Sequence, residues 1–332
     1  MNAKIFTALA ALFGVGLIGG YVLRDVWDAR QTTATAEMDS TSRQVRQMGQ
    51  YTYTNPLLEC EVAEGTLDAR KENFHDALEK YVRQLKIERK LSDVAVYFRD
   101  LNNGPTFGIG ERGEFFPASL LKVPIMMAYY HLAEQNPSIL GVEIRFEKPV
   151  DFDITPTILP RESLVVGESY TVDDLVRRMI VYSDNQALSL LSARLPLAVL
   201  QDLFAMLDVG GDVLADSEAK LTVKEYAGFF RILFNSSYLS RNFSEKALAL
   251  LAKTDYADAL PAGVPSDMMI AHKFGEAGTE DAERQLHDCG IVYFPDHPYL
   301  ACIMTRGSKA EDLKDTIVDV SKFIYEKIDE QY

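Results

Sequence analysis

The chain begins with an uncharged, strongly hydrophobic run from Ile5 to Leu23. At 1.5 Å per helical residue, this run is long enough to cross a hydrocarbon layer about 30 Å thick. Ala34-Thr35-Ala36 resembles a signal-peptide cleavage site, but it lies far beyond the apolar run, whereas such sites normally follow it closely. We therefore expect residues 1–24 to be an uncleaved transmembrane anchor, with a cleaved signal peptide as the alternative.

Residues 25–66 are polar and show neither the helical nor the strand period. This pattern is typical of a linker, and it predicts a tether that holds a folded body away from the membrane. The spacing changes after residue 66. Phe74, Leu78 and Leu85 recur at intervals of four and seven, which predicts an amphipathic helix over residues 67–91.

Hydrophobic residues rich in β-formers follow over residues 92–101, and a Gly-Pro turn separates them from the short run TFGIG. Together they predict a β-hairpin. Helical periodicity then dominates from Ser119 to about Leu251. Three apolar runs of strand character come next, MMIAHKF, GIVYF and YLACIMT, and an amphipathic helix closes the chain from Ala310 onward.

This order of elements predicts one α/β (α+β) domain over residues 67–332. Strands lie near both ends of the domain and helices lie between them. We therefore expect a single sheet assembled from distant parts of the chain, with the terminal helices against one face and a helical lobe on the other.

The composition excludes several classes of function. A net charge of -15 over 332 residues would repel nucleic-acid phosphates and anionic lipid headgroups, so we expect no nucleic-acid partner. Three cysteines are too few for a disulfide scaffold, and no Cys/His cluster has zinc spacing. A 47% hydrophobic content is enough for a full core.

The first candidate for chemistry is Ser119-Leu120-Leu121-Lys122, which opens the apolar run VPIMMAYYHLA. On a helix, the three-residue spacing puts the hydroxyl and the amine on one face, where the amine can take the hydroxyl proton. A lysine can act as this base only if burial or a neighbouring cation lowers its pKa. Taken alone, the motif is more typical of an N-capping serine and a solvated lysine.

Two further motifs give this serine a context. Ser183-Asp184-Asn185 interrupts a helix that should begin at Thr171, so it either offers a hydroxyl and an amide to a cleft or forms an ordinary helix junction. Lys273-Phe274-Gly275 ends a strand, where the lysine can add positive charge and the glycine can allow close approach to the backbone.

The order S-x-x-K, S-D-N, K-x-G resembles the motif set of class A β-lactamases and penicillin-binding proteins. The resemblance runs from about residue 67 to 330 and includes PASLLKVPIM and CGIVYFPDHPYLACIMTRG. It implies a β-lactamase/transpeptidase-like fold, in which an antiparallel sheet flanked by terminal helices stands beside an all-helical lobe and the active site lies between them. It also implies a serine hydrolase that forms an acyl-enzyme on β-lactams or related amides and needs no metal or cofactor.

The resemblance assigns roles to residues of this sequence. Ser119 becomes the nucleophile, Lys122 its base and Ser183 the relay of a proton to the leaving nitrogen. Lys273 supplies positive charge, Asn185 holds the substrate amide and Gly275 allows the substrate to approach. The backbone amides of Ser119 and Glu276 occupy the oxyanion-hole positions. We further expect a monomer on a bacterial cell membrane, with a single-pass anchor and an extracytoplasmic catalytic domain; cleavage would instead release a periplasmic or secreted protein.

The sequence departs from the family in the loop that supplies a deacylating glutamate. The stretch between Asn185 and Thr222 is short and lacks the E-x-x-L-N pattern. Asp216 and Glu218 are the nearest substitutes, although both are typical of solvated loop carboxylates. Without a positioned base, acylation would proceed while hydrolysis of the acyl-enzyme would be slow.

A second departure is Phe274, which stands where the family has threonine or serine, close to Glu276. The missing hydroxyl normally helps to hold a substrate carboxylate. We therefore expect a substrate that either lacks this carboxylate or meets another cation, for which Arg306 is a candidate, although Arg306 is also typical of a surface residue at a strand end. Cys289 and Cys302 flank a hairpin, and we expect paired buried thiols rather than a cross-strand disulfide.

Three functions remain compatible with these observations. The first is a membrane-tethered serine hydrolase of class A β-lactamase type. The second is a D,D-peptidase-like enzyme of the cell wall that acts on a peptidoglycan-like amide. Such an enzyme is acylated by penicillins and releases the acyl group slowly. The third is a non-catalytic module that binds peptidoglycan or a partner. The intact motif residues argue against the third, and the short loop separates the first from the second.

Overall fold

The computed structural model describes residues 44–46, 51–60, 69–102, 105–152, 158–210, 219–278 and 283–332. These residues fall in a single compact unit. The predicted anchor, residues 1–24, and the candidate loop acids Asp216 and Glu218 lie outside the described residues. Within the described part of the chain, no single helix is long and apolar enough to span a membrane; one pair of helices, Asn185–Ser192 and Leu197–Met206, passes the length and hydropathy criteria only jointly, with a bend of 103° between them.

The predicted helices and strands occur in the predicted order, and the structure adds short strands that the sequence did not predict, at residues 44–46, 57–60, 114–115, 143–145, 169–171 and 221–222. The strands are β1 (Gln44–Arg46), β2 (Leu57–Cys60), β3 (Asp93–Asp100), β4 (Thr106–Ile109), β5 (Glu114–Phe115), β6 (Glu143–Arg145), β7 (Ser169–Thr171), β8 (Leu221–Thr222), β9 (Ile270–Ala277), β10 (Arg284–Val292) and β11 (Tyr299–Gly307). The α-helices are α1 (Ala69–Glu88), α2 (Lys122–Gln135), α3 (Val172–Val181), α4 (Asn185–Ser192), α5 (Leu197–Met206), α6 (Val223–Phe234), α7 (Arg241–Leu251) and α8 (Ala310–Gln331). Short 3₁₀ helices occupy Ala118–Leu121, Pro137–Gly141 and Leu260–Gly263.

The main sheet has five strands in the order β4-β3-β11-β10-β9, and every neighbouring pair is antiparallel. The predicted hairpin is the β3–β4 pair. The three late strands pair with one another and with β3, so the first and last parts of the domain share one sheet. Strand β9 lies at an edge of this sheet, which leaves one of its sides open to the active-site region.

Both faces of the sheet are covered, as the sequence predicts. Along β11, Ala301 and Ile303 enter a core with α1 and α8, while Leu300 and Cys302 enter the core of the helical lobe. This alternation follows from the two-residue period of a strand. Helix α8 presents its apolar stripe to the sheet, because every fourth or third residue from Leu313 onward is buried.

Helix α2 forms the centre of the helical lobe. Most of its residues are buried, which is the pattern of a helix enclosed on all sides rather than one lying at a surface. Its first residue is Lys122, so one of the most buried helices of the molecule begins at a candidate catalytic side chain.

The folded unit takes in part of the segment that the sequence predicts as a tether. The Glu245 carboxylate accepts hydrogen bonds from the backbone amides of Thr52, Tyr53 and Thr54 at 2.5–3.0 Å. The Arg241 guanidinium donates to Thr54. Residues 51–56 therefore dock on α7, more than ten residues before the predicted start of the body.

Cys289 and Cys302 form a disulfide, so the expectation of paired thiols was wrong. The two residues are exact partners in the β10–β11 register, and their Cα atoms are 3.9 Å apart. The hairpin pattern in the sequence indicated that the two cysteines could lie opposite each other, and the strand register places them so.

Candidate active site

The three motifs meet at one place, between the helical lobe and strand β9. The 3₁₀ turn Ala118–Leu121 carries the first serine, and the break between α3 and α4 carries the second. The lysine and glycine lie within β9, which continues to Ala277 rather than ending at the motif as the sequence predicts. Hydrogen bonds join five of the predicted side chains, namely Ser119, Lys122, Ser183, Asn185 and Lys273. These five residues are called the catalytic cluster below.

The Lys122 amine is the centre of the catalytic cluster. Its Nζ lies 2.9 Å from Ser119 Oγ, 2.9 Å from Ser183 Oγ, 2.6 Å from the Ser183 carbonyl and 2.7 Å from Asn185 Oδ1. The last two are acceptors that carry no hydrogen. A neutral amine has two hydrogens and one lone pair, so these acceptors can hold both hydrogens. The lone pair is then left for a serine hydroxyl, which is the arrangement a general base requires.

Burial gives Lys122 a pKa suited to this role. The side chain is fully buried, and the loss of hydration lowers its pKa from 10.5 to about 7. The negative charge of Asp184 acts in the opposite direction but does not offset the burial. A substantial fraction of Lys122 is therefore neutral near pH 7, as the sequence analysis required for a lysine base.

Ser183 connects the two lysines of the cluster. Its Oγ lies 2.9 Å from Lys122 Nζ and 3.0 Å from Lys273 Nζ. Lys273 is fully buried, and burial together with the charge of Lys122 holds its pKa well below 10.5, while Asp288 opposes the shift. A hydroxyl held between two amines of lowered pKa can pass a proton in either direction.

Local sequence explains the position of Ser183. Helix α3 begins at the predicted cap, where the Thr171 hydroxyl accepts from the Asp174 amide, and it ends at Val181. Ser183 itself has a φ of 56°, in the left-handed region that a non-glycine residue rarely adopts. Helix α4 then begins with Asp184 as its N-cap, since its carboxylate accepts from the amides of Gln186 and Ala187. The helix break is thus a defined turn, capped on both sides, that points Ser183 toward Lys122.

The backbone before Ser119 is fixed from the sheet by two residues that the sequence analysis missed. The Phe116 amide donates to Gln285 Oε1 at 3.0 Å, and the Phe116 carbonyl lies 3.0 Å from His287 Nε2. Ala118, directly before the serine, has a φ of 47°. The two contacts from β10 therefore hold a strained backbone segment in place next to the nucleophile.

The protonation state of His287 follows from its partners. The Thr305 amide donates to Nδ1, so the hydrogen of a neutral ring is on Nε2 and is donated to Phe116. The pKa of His287 is lowered to about 4, mainly by complete burial; backbone hydrogen bonds with Phe116 and Leu286 oppose the shift, and the charge of Arg306 adds to it. His287 is thus a neutral structural group at pH 7.

Gly275 is required by a close approach between β9 and the nucleophile turn. A Cβ at this position would lie 2.9 Å from both the Pro117 carbonyl oxygen and Leu120 Cγ. The glycine therefore lets the strand touch the turn that carries Ser119. Glu276 follows directly on the same edge strand, so the backbone amides assigned to the oxyanion hole belong to the two segments that meet here.

Beyond Lys273, two aromatic rings close the site. The Phe274 ring centre lies 3.9 Å from Lys273 Nζ and 4.4 Å from the centre of the Tyr256 ring. These two residues are called the aromatic wall below. Sequence analysis singled out Phe274 but not Tyr256, which comes from the loop after α7 and carries no motif.

Arg306 is held by other groups. Its guanidinium lies 3.3 Å from Asp93 and 3.5 Å from Glu283 and stacks over the Phe115 ring at 5.3 Å. The sequence left two roles for Arg306, a cation that meets the substrate carboxylate and a surface residue at a strand end. The structure favours the strand-end residue, held in an ion-pair network.

In the described part of the chain, no carboxylate hydrogen-bonds to Ser119 or Lys122.

Comparisons with known proteins agree with this geometry. A model of the β-lactamase enzyme family matches residues 77–328. No curated protein matches the chain in sequence. Among solved structures, PBP-A is similar with a TM-score of 0.64 and 21% identity over 76% of this chain and 96% of PBP-A.

Two further structures resemble this chain. A mutant of PBP-A, solved as an acyl-enzyme complex with penicillin G, has a TM-score of 0.63 and 21% identity over 77% of this chain and 97% of its own. A β-lactamase from Chitinophaga pinensis has a TM-score of 0.67 and 18% identity over 76% of this chain and 99% of its own. At these identities the likeness shows a shared fold.

Proposed function

The chain belongs to the β-lactamase enzyme family and is a serine hydrolase, and we propose that Ser119 is the residue that β-lactams or related amides acylate. The observation that carries the assignment is the environment of Lys122. This amine is buried, and two hydrogen-free acceptors take its hydrogens, which directs its lone pair to a serine hydroxyl.

The catalytic cluster supports a balanced sequence of steps. Ser119 Oγ attacks the amide carbonyl as its proton passes to Lys122, and the carbonyl electron pair moves to the oxygen. Backbone amides of Ser119 and Glu276 stabilise that oxyanion, and one such donor contributes about 3 kcal/mol in the transition state. The C–N bond then breaks, and the leaving nitrogen receives the proton from Lys122 through Ser183.

The remaining predicted side chains support these steps. Asn185 has its Oδ1 on Lys122, which leaves its amide NH₂ group to contact a substrate amide oxygen. Lys273 adds positive charge next to Ser183 whenever it is protonated. The mechanism uses no metal or cofactor.

The test is to incubate the full chain with a fluorescent penicillin and to follow covalent labelling and its release. We expect labelling of the wild type and none of Ser119→Ala. Labelling that survives in Ser119→Ala would refute the assignment of the nucleophile. A wild type that is never labelled would favour the third hypothesis, a binding module.

A second candidate is supported by the loop after Asn185. It is short, and the described residues place no carboxylate on Ser119 that could activate water for deacylation. In this case the enzyme would be acylated by penicillins and release them slowly, as a penicillin-binding D,D-peptidase does. Label that turns over within seconds excludes it, and label that persists for hours establishes it.

We also propose a location from the sequence. The apolar run of residues 5–23 supports a single-pass anchor. The similarity to enzymes that act on β-lactams supports an extracytoplasmic catalytic domain on a bacterial cell membrane. Extraction of the full chain by detergent but not by high salt is the expected result. We expect the protein to be a monomer, which sedimentation of the detergent-solubilised chain will test.

A further inference from the structure

The aromatic wall occupies the part of the site next to Lys273. The Phe274 side chain is only 4% exposed, and its ring is packed between Lys273 Nζ and Tyr256. Lys273 Nζ is itself 3.0 Å from Ser183 Oγ, so the wall begins one side chain away from the catalytic cluster. A substrate group that extends from Ser119 past Lys273 would therefore meet the partly exposed Tyr256 beside the buried Phe274 ring.

Two of the cations near the wall, Lys273 and Arg306, are already engaged; Arg284 and Lys314 line the cavity beside Tyr256. Lys273 is fully buried, and its amine contacts Ser183 Oγ, the Phe274 carbonyl and the Phe274 ring. Arg306 pairs with Asp93 and Glu283. Binding of a carboxylate here would have to break these contacts, and no threonine or serine hydroxyl stands at position 274 to replace them.

The surroundings of Tyr256 are acidic. Burial is the largest cause of its raised pKa, and the carboxylates of Asp288, Asp258 and Glu276 raise it further. A cavity of about 290 Å³ adjoins Tyr256 and Glu276. Its charged lining consists of three acidic and two basic side chains, namely Asp258, Glu276, Glu311, Arg284 and Lys314.

From these contacts we propose that the natural substrate carries no free carboxylate at the position that meets the aromatic wall, and that an ester, an amide or another group without negative charge packs against Phe274 and Tyr256. The inference rests on the proposed function, because it concerns the substrate of the same serine. Of the two alternatives left by the sequence, we thus favour the missing carboxylate over a second cation.

The test uses a matched pair of ligands, benzylpenicillin and its methyl ester. The second-order rate constant for acylation of the full chain is measured for each by intact mass. We expect the ester to acylate at least as fast as the acid. Faster acylation by the acid would overturn the inference.

Binding of the same pair to Ser119→Ala, measured by calorimetry, separates this inference from the proposed function. Tighter or equal binding of the ester supports the inference even if Ser119 proves not to be acylated. Tighter binding of the acid overturns it, and binding of neither ligand removes both the inference and the proposed substrate class.

Two variants sharpen the result. Phe274→Thr removes the ring and restores a hydroxyl, and it should raise the acid-to-ester ratio of acylation rates by about tenfold, as expected for one hydrogen bond to a charged group. Because Phe274 is buried and its loss could impair folding, Glu276→Gln provides an independent test with a smaller increase in the same ratio. Asp267→Asn, an exposed acid before β9, is the matched control and should leave the ratio unchanged. An unchanged ratio in both Phe274→Thr and Glu276→Gln would count against the inference.

Discussion

The catalytic cluster and the aromatic wall meet at Lys273 and Phe274 on β9, and they differ in which of the family's residues they keep. The cluster keeps the motif residues, and hydrogen bonds hold the half-buried Ser119, Ser183 and Asn185 around two fully buried lysines. The wall has lost the family's hydroxyl and replaces it with packed rings among carboxylates. Acylation therefore depends on hydrogen bonds and on the protonation of Lys122, whereas substrate recognition depends on ring packing and nearby negative charge. The two regions are neighbours, yet each can be altered without the other.

The largest expected effect comes from removing the base while keeping the charge. Lys122→Arg leaves a cation that cannot lose its proton at accessible pH, so acylation should fall by about 10²–10⁴-fold. The acid-to-ester preference in binding should persist, because the aromatic wall is untouched. Lys246→Arg, whose amine pairs with Asp173 on the surface, is the matched control. Acylation by Lys122→Arg at the wild-type rate would show that Lys122 is not the base.

The next effect tests the contact that joins the two regions. In Gly275→Ala the new methyl group would lie 2.9 Å from the Pro117 carbonyl, so the strand or the nucleophile turn must move. We expect a loss of about 1–3 kcal/mol in the free energy of unfolding, as for other overpacked sites. A fall in the acylation rate should accompany it. Gly141→Ala, with no atom within 4 Å of the added Cβ, should change neither quantity.

The catalytic cluster could be predicted from sequence because catalysis needs particular residue types at short, fixed spacings. Ser119 and Lys122 share one helical turn, and the Ser183 break has its own caps on both sides. His287 and Gln285 could not be found in this way. They reach Phe116 only through the register of β10 with β9, and strand register is not encoded in local periodicity.

The same limit explains the other differences between sequence and structure. Tyr256 joins Phe274 from a loop without a motif, and Cys289 is bonded to Cys302 because two strands pair in one register out of several. The docking of residues 51–56 depends on the Glu245 carboxylate, which lies about 190 positions further along the chain. The fold class and layer order, by contrast, follow from hydrophobic patterns alone.

A smaller effect is expected from pH. The acylation rate, which depends on the catalytic cluster, should change with pH, whereas the acid-to-ester ratio, which depends on the aromatic wall, should not. Neutral Lys122 is the active form, and its pKa is about 7, so the rate should rise with pH through this value and level off above it. Between pH 6 and pH 8 the neutral fraction grows about tenfold. The acid-to-ester ratio should stay constant over this range if the wall alone sets it. A ratio that follows the Lys122 titration would mean that the lysine charge also takes part in recognition.

The last expected effect changes stability at low pH without changing acylation near pH 7, and it concerns the neutral histidine behind the nucleophile. The pKa of His287 is about 4 in the folded chain, below its ordinary value of 6.5, so the unfolded chain binds one more proton between these two pH values. Stability should therefore decrease as the pH falls from about 6.5 to 4, with a contribution of about 1.4 kcal/mol per pH unit from this residue. His287→Gln lacks the titrating ring but keeps a side-chain amide that can donate to the Phe116 carbonyl, and its free energy of unfolding should depend less steeply on pH by that amount. Urea denaturation at several pH values measures the difference, with His75→Gln on α1 as the matched loss of a histidine. If the free energy of unfolding depends equally steeply on pH in the two variants, the hydrogen bond between His287 and Phe116 does not require a neutral His287. Any acid sensitivity of the nucleophile segment would then arise elsewhere in the sheet.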